Sequence, residues 1–459
     1  MARRRIMVIG IDCAEPSLVF DRYSRVMPNL RRLARRGRWG LLRSTIPPIT
    51  VPAWTCMVTG ADPGELGVYG FRNRKGYGGY EMSFATSASV TVPRVWDVLG
   101  DLGLRSTVLF VPQTYPPTPI HGSMVSCFLT PGPDSEYTHP PALKGALRSQ
   151  FGDYIVDVAD FRTDDKERLL RDIHAMSRQH FAMARHMLAK DDWDFFMMVD
   201  MGCDRFHHAF WKYIAEDHPK FERTAFLEAG PEYYAYLDRE IGTLMEHLDD
   251  GTTLLVVSDH GARTMKGGIC INEWLIRNGY LTPREMPAAP TPLGKVEIDW
   301  SRTRAWGEGG YYGRLFMNVQ GREPQGVVPA GEYSRQRDEL KAAMEAIGDE
   351  KGKPIGTVAL RPEDAYPVVR GAPPDLIVLF GNLDWRSVGS VGMGAIHTFE
   401  NDTGPDDANH SWDGILVMAG AGVPPDGRIE GAEVRDVART VLRLFGLDPP
   451  AWMGGKELV

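Results

Sequence analysis

Short apolar segments recur along the chain, and most of them end in a polar or small residue. They read IMVIGID, STVLFV, DFFMMVD, TLLVVSD, DLIVLFG and GILVMAG. Because their apolar residues are continuous rather than alternating, these segments are typical of strands buried on both faces of a mostly parallel sheet. Helical periodicity marks the ranges 27–37, 92–103, 166–190, 233–248 and 434–445 between them. The alternation of the two patterns predicts an α/β fold.

The regular alternation breaks between Tyr280 and Pro354, where prolines and charged residues are frequent. A chain of 459 residues has room for two or three structural units at roughly 150 residues each. We therefore predict a core formed by residues 1–279 and 355–459, with residues 280–354 inserted as a cap or lid.

Composition narrows the classes of partner. The formal net charge is −8, which argues against a broad nucleic-acid surface or an anionic-membrane surface, because both need clustered positive charge. No apolar run approaches the roughly 20 residues of a membrane span. A small phosphorylated substrate stays compatible with this charge, and the oligomeric state stays open.

The five cysteines are widely spaced and form no C-x-x-C pair. This pattern argues against a disulfide framework or a zinc ribbon and favours a reducing compartment. In the first residues, MARRRIMVIGIDCAE, Asp12 interrupts the apolar run too early for a signal peptide. We therefore expect a cytoplasmic protein.

Three of the predicted strands end in aspartate, at Asp12, Asp200 and Asp259. The carboxyl ends of the strands in an open α/β sheet line the ligand crevice, so these acids can converge although they are distant in sequence. The alternative is that each aspartate only caps the following turn.

Thr50 stands between prolines in the segment TIPPITVPAW. Proline restricts its own φ and biases the preceding residue away from helix, which predicts extended backbone over 49–51 and a helix that begins at Pro52. Thr50 then lies at a helix N-terminus, where free N–H groups favour an anion and a metal can turn the hydroxyl into a nucleophile. A simple N-cap is the alternative.

Acidic residues and histidines accompany two of the strands and a later polar segment. SDHG places Asp259 beside His260, DMGCDRFHHAFW places Asp204 and His208 four residues apart, and DDANHSWDG places His410 in a polar, flexible segment. Carboxylate and imidazole are standard ligands of Zn²⁺ or Mn²⁺. Taken singly, these residues are more typical of a turn, a structural hydrogen bond and a solvated loop.

Together with Asp12 and Thr50, these residues suit a site with two metals and one alkoxide, which is the arrangement for in-line displacement at phosphorus. His207 is the substitute if His410 is not a ligand, and we expect Asp200 to support the ligands from behind.

The order of these segments resembles a known family. VIGID, the long segment from MPNLRRLARRG to ELGVYGF, DRFHHAFW, SDHG, INEWLIRNGYL and NHSWDG together are similar to type I phosphodiesterase/nucleotide pyrophosphatase proteins of the alkaline phosphatase superfamily. The similarity runs from about Ile6 to Gly420. It implies a mostly parallel, alkaline-phosphatase-like sheet flanked by helices.

The resemblance also implies two divalent metal ions, Zn or Mn. One would be held by Asp12, Thr50, Asp259 and His260, and the other by Asp204, His208 and His410. It further implies that Thr50 attacks phosphorus to give a phosphothreonine intermediate, which water then hydrolyses. The implied activity is hydrolysis of phosphodiester or phosphoanhydride bonds in nucleotide-type or related small substrates.

The chain departs from nucleotide pyrophosphatases where they carry a phosphate-binding asparagine, because Phe71 stands at that place. Arg72 or Asn73 are candidate replacements, and an aryl group or base can stack on Trp54 or Tyr69. A diester brings less negative charge than a monoester, so an apolar Phe71 favours a diester.

Three other functions stay open. A phosphomonoesterase or phosphotransferase would need extra cations, for which Arg72, Arg74, Lys75 and Arg205 are candidates. A sulfatase would need a convertible Cys or Ser in a C-x-P-x-R context, which TVPAW lacks. A metal-binding protein without turnover is the remaining class.

Overall fold

The computed structural model describes residues 3–425 and 427–459. Its strands are β1 Arg5–Ile11, β2 Arg38–Arg43, β3 Arg72–Arg74, β4 Met82–Phe84, β5 Ser106–Leu109, β6 Gly122–Val125, β7 Thr138–His139, β8 Phe195–Asp200, β9 Thr252–Val257, β10 Gly261–Thr264, β11 Gly267–Cys270, β12 Ala305–Glu308, β13 Gly313–Met317, β14 Val358–Leu360, β15 Leu376–Leu379, β16 Trp385–Val388, β17 His397–Thr398, β18 Ala408–Ser411, β19 Asp413–Gly420 and β20 Gly427–Glu433. Its α-helices are α1 Pro28–Arg36, α2 Thr50–Thr59, α3 Pro63–Leu66, α4 Val95–Asp101, α5 Ala142–Phe151, α6 Lys166–Lys190, α7 Gly202–Ile214, α8 Ala229–Met245, α9 Ile271–Arg277, α10 Tyr333–Glu345, α11 Pro362–Ala365 and α12 Asp436–Leu444.

A nine-stranded sheet forms the centre of the larger unit, in the order β20-β2-β19-β9-β1-β8-β5-β6-β7. Its middle strands β9, β1, β8 and β5 run parallel, whereas β19 runs antiparallel between β2 and β9. The predicted α/β class with a mostly parallel sheet is confirmed. The parallel middle matters for the site, because β9, β1 and β8 end side by side at the same edge.

The central strands are apolar without interruption because both of their faces are covered. Every residue of β8 and β9 is buried. Helices α6, α7 and α8 contact one another, and α1 contacts α8. In a separate group, α2 and α4 contact α12. Packing against α2 is close, since a Cβ added at Gly10 of β1 would lie 2.4 Å from the Trp54 ring. The helix predicted at 166–190 matches α6 in both bounds.

A smaller unit has its own apolar core and its own sheets. One sheet has the order β12-β13-β15-β14, and another has the order β16-β11-β17. The segment DLIVLFG, which the sequence pattern assigned to the main sheet, forms β15 and pairs antiparallel with β13 and β14 here. A strand buried on both faces has the same composition in either sheet, so its pattern did not distinguish them.

The smaller unit is therefore larger than the inserted range 280–354. It also takes β11 and α9 before that range, and β14 to β17 after it. Its core includes Ile269 and Ile271 at one end of the sequence and Phe380 and Val391 at the other. The prolines and charges of 280–354 thus mark only the most irregular part of the unit.

A hairpin from the larger unit, β3 and β4, inserts into the smaller one. Tyr80 in its turn stacks on Trp300 with ring centroids 3.6 Å apart. Arg74 of β3 forms a fully buried ion pair with Glu323 at 2.6 Å. This hairpin begins directly after Phe71, so the two units are joined beside the segment that follows the nucleophile candidate.

Over the described ranges, no helix is both long enough and apolar enough to cross a membrane.

Candidate active site

The site lies where the parallel strands β9, β1 and β8 end. Asp12 directly follows β1, and Asp259 and His260 lie just beyond β9. Asp204 and His208 lie on α7, the helix that follows β8. His410 lies on β18, which pairs with β10 so that His410 faces Ala262. His410 is 1% exposed and belongs to a strand, so the prediction of a flexible loop there is wrong.

Thr50 is the first residue of α2, and Ile49 before it is extended, with φ −138° and ψ 136°. The helix thus begins two residues earlier than predicted. Pro52 is tolerated in the first turn because the N–H that it lacks would have no intrahelical acceptor there. Thr50 is 2% exposed, and its Oγ1 lies 3.3 Å from Nε2 of His260.

Three buried carboxylates each have one oxygen held by the protein and one left without a partner. Asp12 Oδ2 accepts from Trp54 Nε1 at 2.6 Å, Asp259 Oδ1 accepts from the Cys13 N–H at 3.3 Å, and Asp204 Oδ2 accepts from Arg205 at 2.5 Å. The second oxygens, Asp12 Oδ1, Asp259 Oδ2 and Asp204 Oδ1, are buried and have no hydrogen-bond donor. Buried acceptors of this kind need a cationic or donor partner.

Each of the three histidines likewise has one ring nitrogen held by the protein and a second one that faces the cluster. Nδ1 of His208 faces Asp406 Oδ1 at 2.8 Å, Nδ1 of His410 faces the Pro48 carbonyl at 2.9 Å, and Nδ1 of His260 faces the Gly261 carbonyl at 3.1 Å. Each Nδ1 therefore carries the proton, and each Nε2 presents a lone pair to the cluster when the ring is neutral. Nε2 of His208 and Nε2 of His410 lie only 3.2 Å apart.

The free carboxylate oxygens and the Nε2 atoms of the histidines lie close to one another. Nε2 of His208 lies 3.2 Å from Asp204 Oδ1, and Nε2 of His260 lies 3.2 Å from Asp259 Oδ2. The possible ligand atoms form two sets, and within each set all atoms lie within 4.8 Å of one another. One set is Asp12, Asp259 and His260, and the other is Asp204, His260 and His410. Oxygen and imidazole nitrogen suit Zn²⁺ or Mn²⁺. The orphaned oxygens and facing lone pairs therefore fit a pair of divalent cations.

Without a cation, the carboxyl groups of Asp12 and Asp259 and the imidazole of His208 hold their protons more tightly than usual. Burial raises the pKa of Asp12 well above its ordinary value, and the neighbouring Asp259 carboxyl raises it further. Burial also raises the pKa of Asp259. Burial lowers the pKa of His208, but the attraction of Asp406 and Asp204 outweighs it and raises this pKa to about 9. A dication reverses the repulsion between the carboxylates and favours their ionised forms.

Asp200 and His207 point away from this cluster. Asp200 Oδ2 accepts from the Ser177 hydroxyl at 3.0 Å and from the Gly202 N–H at 3.2 Å, at the start of α7. Nε2 of His207 faces the Tyr234 hydroxyl at 3.0 Å. Asp200 thus supports the helix that carries Asp204 rather than a ligand side chain, and His207 packs on the side of α7 that faces α8.

A cavity of about 230 Å³ opens beside Thr50, and Phe71, Phe161, Arg162 and Tyr311 line it. Of the candidate substrate residues, only Phe71 lines this cavity. Trp54 is fully buried and holds Asp12, so its ring offers no face for stacking. Asn73 bonds the backbone of its own turn, at the Tyr69 N–H and the Gly70 carbonyl. Arg72 is exposed and lies 3.7 Å from Glu308.

Three residues that the sequence patterns did not single out complete the site. Asp406 is fully buried and holds His208, while its Oδ2 pairs with Arg162 at 3.3 Å and Arg386 at 3.2 Å. The Tyr311 ring stacks on His410 and His208, with centroids 4.2 and 4.7 Å apart. The adjacent acids of DDANH were a signal for Asp406, whereas no motif surrounds Tyr311 or Arg162.

Known structures share this architecture. Human ectonucleotide pyrophosphatase/phosphodiesterase 5 is similar over 98% of this chain and 97% of its own, with a TM-score of 0.57 and 11% identity. Phosphonoacetate hydrolase from Sinorhizobium meliloti 1021, in complex with phosphonoformate, is similar over 96% of each chain, with a TM-score of 0.63 and 15% identity. At such identities the likeness shows the fold. No curated protein matches the chain in sequence.

The sequence profile of one family matches residues 6–413, which is most of the chain. The matched range begins in β1 and ends at β19, so it includes every candidate ligand and Thr50. This match and the shared architecture confirm the resemblance seen in the motifs and identify an enzyme of this hydrolase type. The chain belongs to the type I phosphodiesterase/nucleotide pyrophosphatase family.

Proposed function

We propose that the protein is a two-metal-dependent hydrolase that cleaves phosphodiester or phosphoanhydride bonds in small substrates, with Thr50 as the nucleophile. The observation that carries this proposal is the set of half-satisfied carboxylates and imidazoles around the Thr50 hydroxyl. Such groups are costly to bury unless they bind a cation.

Asp12, Thr50, Asp259 and His260 would hold one ion, and Asp204, His208 and His410 the other. Nε2 of His260 also lies near Asp204 and His410, so the two ions would be neighbours. Zn²⁺ and Mn²⁺ both accept this mixture of ligands. When bound, such ions favour the alkoxide form of a hydroxyl and neutralise charge on phosphoryl oxygens.

In the proposed reaction, Thr50 attacks phosphorus. Its oxygen forms a bond to phosphorus, the bond from phosphorus to the leaving oxygen breaks, and the proton of the Thr50 hydroxyl passes to that leaving oxygen. The products of this step are a phosphothreonine intermediate and an alcohol or phosphate. Water then attacks the same phosphorus, and the Thr50 oxygen leaves with a proton. The α2 N-terminus, with its free N–H groups, favours negative charge beside Thr50.

A diester or anhydride suits the cavity better than a monoester. Two of the basic residues that the sequence suggested for extra phosphate charge are engaged elsewhere: Arg74 is buried against Glu323, and Arg205 pairs with both Asp204 and Asp157. Phe71 lines the cavity with an apolar ring, which fits the second substituent of a diester. These observations favour the diester over the phosphomonoesterase or phosphotransferase alternative.

Solved relatives point to small phosphorus-containing ligands. An inactive variant of murine ectonucleotide pyrophosphatase/phosphodiesterase 5 binds AMP, and the phosphonoacetate hydrolase binds phosphonoacetate and phosphonoformate. We infer a small phosphorylated substrate for this chain. We also propose a reducing, cytoplasmic location, supported by five cysteines that are all free and buried.

Substitution of Thr50 tests the proposal. Thr50→Ala removes the nucleophilic oxygen, so we expect hydrolysis of bis(p-nitrophenyl) phosphate by the metal-loaded protein to fall at least a thousandfold. Thr50→Ser keeps a hydroxyl and should retain measurable turnover. Circular dichroism of both variants controls for folding. A Thr50→Ala protein that turns over at the wild-type rate would contradict the assignment.

A further inference from the structure

A second cavity of about 570 Å³ adjoins the cavity beside Thr50. Arg162 and Tyr311 line both of them. The second cavity lies between the larger unit and the smaller one, since Arg162 precedes α6 whereas Tyr311 and Arg386 belong to the smaller unit. A substrate whose phosphorus lies at Thr50 can therefore extend a substituent past Tyr311 into this space.

Two guanidinium groups of this cavity share a single carboxylate oxygen. Arg162 and Arg386 both contact Asp406 Oδ2, at 3.3 and 3.2 Å, while Asp406 Oδ1 is already bound to His208. One carboxylate cannot neutralise two guanidinium groups, so Asp406 leaves one positive charge of this pair unbalanced. Arg386 is 4% exposed, and its Nε has no hydrogen-bond partner. An unused donor on a positively charged side chain can bind an anion.

The acidic residues of the cavity are engaged elsewhere or exposed. Glu308 lies 3.7 Å from Arg72. Asp402 accepts from the Ser390 hydroxyl at 2.8 Å and from the Ser390 N–H at 3.3 Å. Glu81 is exposed. None of them has a recorded ion pair with Arg162 or Arg386 among the described residues.

We propose that Arg162 and Arg386 form an anion subsite that binds a carboxylate or phosphate group on the far end of the substrate. The inference rests on the proposed function and narrows its substrate class to phosphodiesters or phosphoanhydrides with a second anionic group. Tyr311 supports the subsite, because its hydroxyl accepts from Arg162 at 3.0 Å and the Arg386 guanidinium lies 5.5 Å from its ring centroid.

Equilibrium binding to the metal-loaded Thr50→Ala protein tests this subsite without turnover. Three ligands are titrated by calorimetry: methyl propyl phosphate, methyl 2-carboxyethyl phosphate and methyl 2-phosphooxyethyl phosphate. At least one of the two ligands with a second anionic group should bind tenfold or more tightly than methyl propyl phosphate, whose propyl group is uncharged. The comparison between the anionic ligands distinguishes a carboxylate subsite from a phosphate subsite.

Variants then assign the preference to the two arginines. Adding Arg386→Gln should reduce the preference to within twofold, and Arg386→Lys should keep part of it. Arg443→Gln is the matched control, because Arg443 pairs with Glu457 outside both cavities, and it should keep the full preference. If Arg386→Gln does not fold, as shown by its melting curve, Arg162→Gln replaces it, since Arg162 is less buried.

Equal affinity for all three ligands in the parent protein would overturn the subsite, as would a preference that survives both Arg386→Gln and Arg162→Gln. Turnover is measured separately with the wild-type protein. A chain that shows the anionic preference and hydrolyses no phosphodiester would refute the proposed function and leave the subsite standing. A protein that hydrolyses phosphodiesters without this preference would refute the subsite and leave the proposed function standing.

Discussion

Asp406 is the residue whose removal tests the construction of the site most directly. It has no proposed contact with a metal, yet its carboxylate holds Nδ1 of His208 at 2.8 Å and pairs with Arg162 and Arg386. Asp406→Asn keeps an oxygen that can accept from His208 but removes the negative charge. The imidazole then becomes a weaker ligand, and both guanidinium groups lose their counter-charge.

These contacts set the expected losses of metal affinity and of stability. Loss of a carboxylate that orients a metal-binding histidine costs about 10- to 100-fold in metal affinity, which is about 1.4 to 2.7 kcal/mol. Breaking a buried ion pair costs about 3–5 kcal/mol. The Arg162 side chain is 24% exposed, so solvent screening reduces its share. We expect the metal-free variant to lose about 2–3 kcal/mol of stability.

The assay is a competition titration of the metal-free protein against a chromogenic chelator, with Zn²⁺ and Mn²⁺ in turn. Asp407→Asn is the matched control. It removes the adjacent buried carboxylate, whose pKa burial raises to about 7 although Lys166 and Lys212 oppose the shift. Its side chain has no recorded hydrogen bond to the proposed ligands. The reasoning is refuted if Asp406→Asn binds both ions within twofold of wild type, or if the two variants lose affinity equally.

Three further predictions concern substrate class, metal content and pH. The kcat/KM for bis(p-nitrophenyl) phosphate should exceed that for p-nitrophenyl phosphate at least tenfold, which corresponds to about 1.4 kcal/mol of transition-state binding. A tenfold preference for the monoester would favour the phosphomonoesterase instead. His410→Ala should lower the bound metal from two ions per chain towards one in elemental analysis, whereas His207→Ala should keep both, and equal contents would contradict the assignment. Burial raises the pKa of Asp200 to about 7 from its ordinary 3.8, although Ser177 and Gly202 donate to it. The folded state therefore prefers the protonated acid, and the protein loses stability as pH rises from about 4 to about 7. At 1.36 kcal/mol per pKa unit, this loss is up to about 4 kcal/mol. Asp200→Asn lacks this titration. Urea denaturation at pH 4.5 and pH 8 should therefore show that the free energy of unfolding of the variant, relative to that of the wild type, rises with pH. A constant difference would show that Asp200 does not titrate in this range.

The sequence alone determined the architecture and most of the candidate site. Continuous apolar segments predicted the buried parallel strands, because a strand covered on both faces has no polar face to show. Asp12 and Asp259 at the ends of such strands pointed to one crevice, because parallel neighbours end at the same edge. The prolines around Thr50 indicated a helix N-terminus, and only the first residue of that helix differed.

The tertiary structure alone decided which groups meet across long sequence separations. The pattern of β15 could not reveal its sheet, because burial is the same in both units. Trp54 was an apparent stacking residue until packing against Gly10 placed it beneath Asp12. Asp406, Tyr311 and Arg162 come from three separate segments. No local periodicity encodes the contacts of Asp406 and Tyr311 with His208, or of Arg162 with both of them. Continuous apolar sequence predicts which segments are buried. The burial of a polar side chain such as His410, and the partners of every side chain, depend on how distant segments pack.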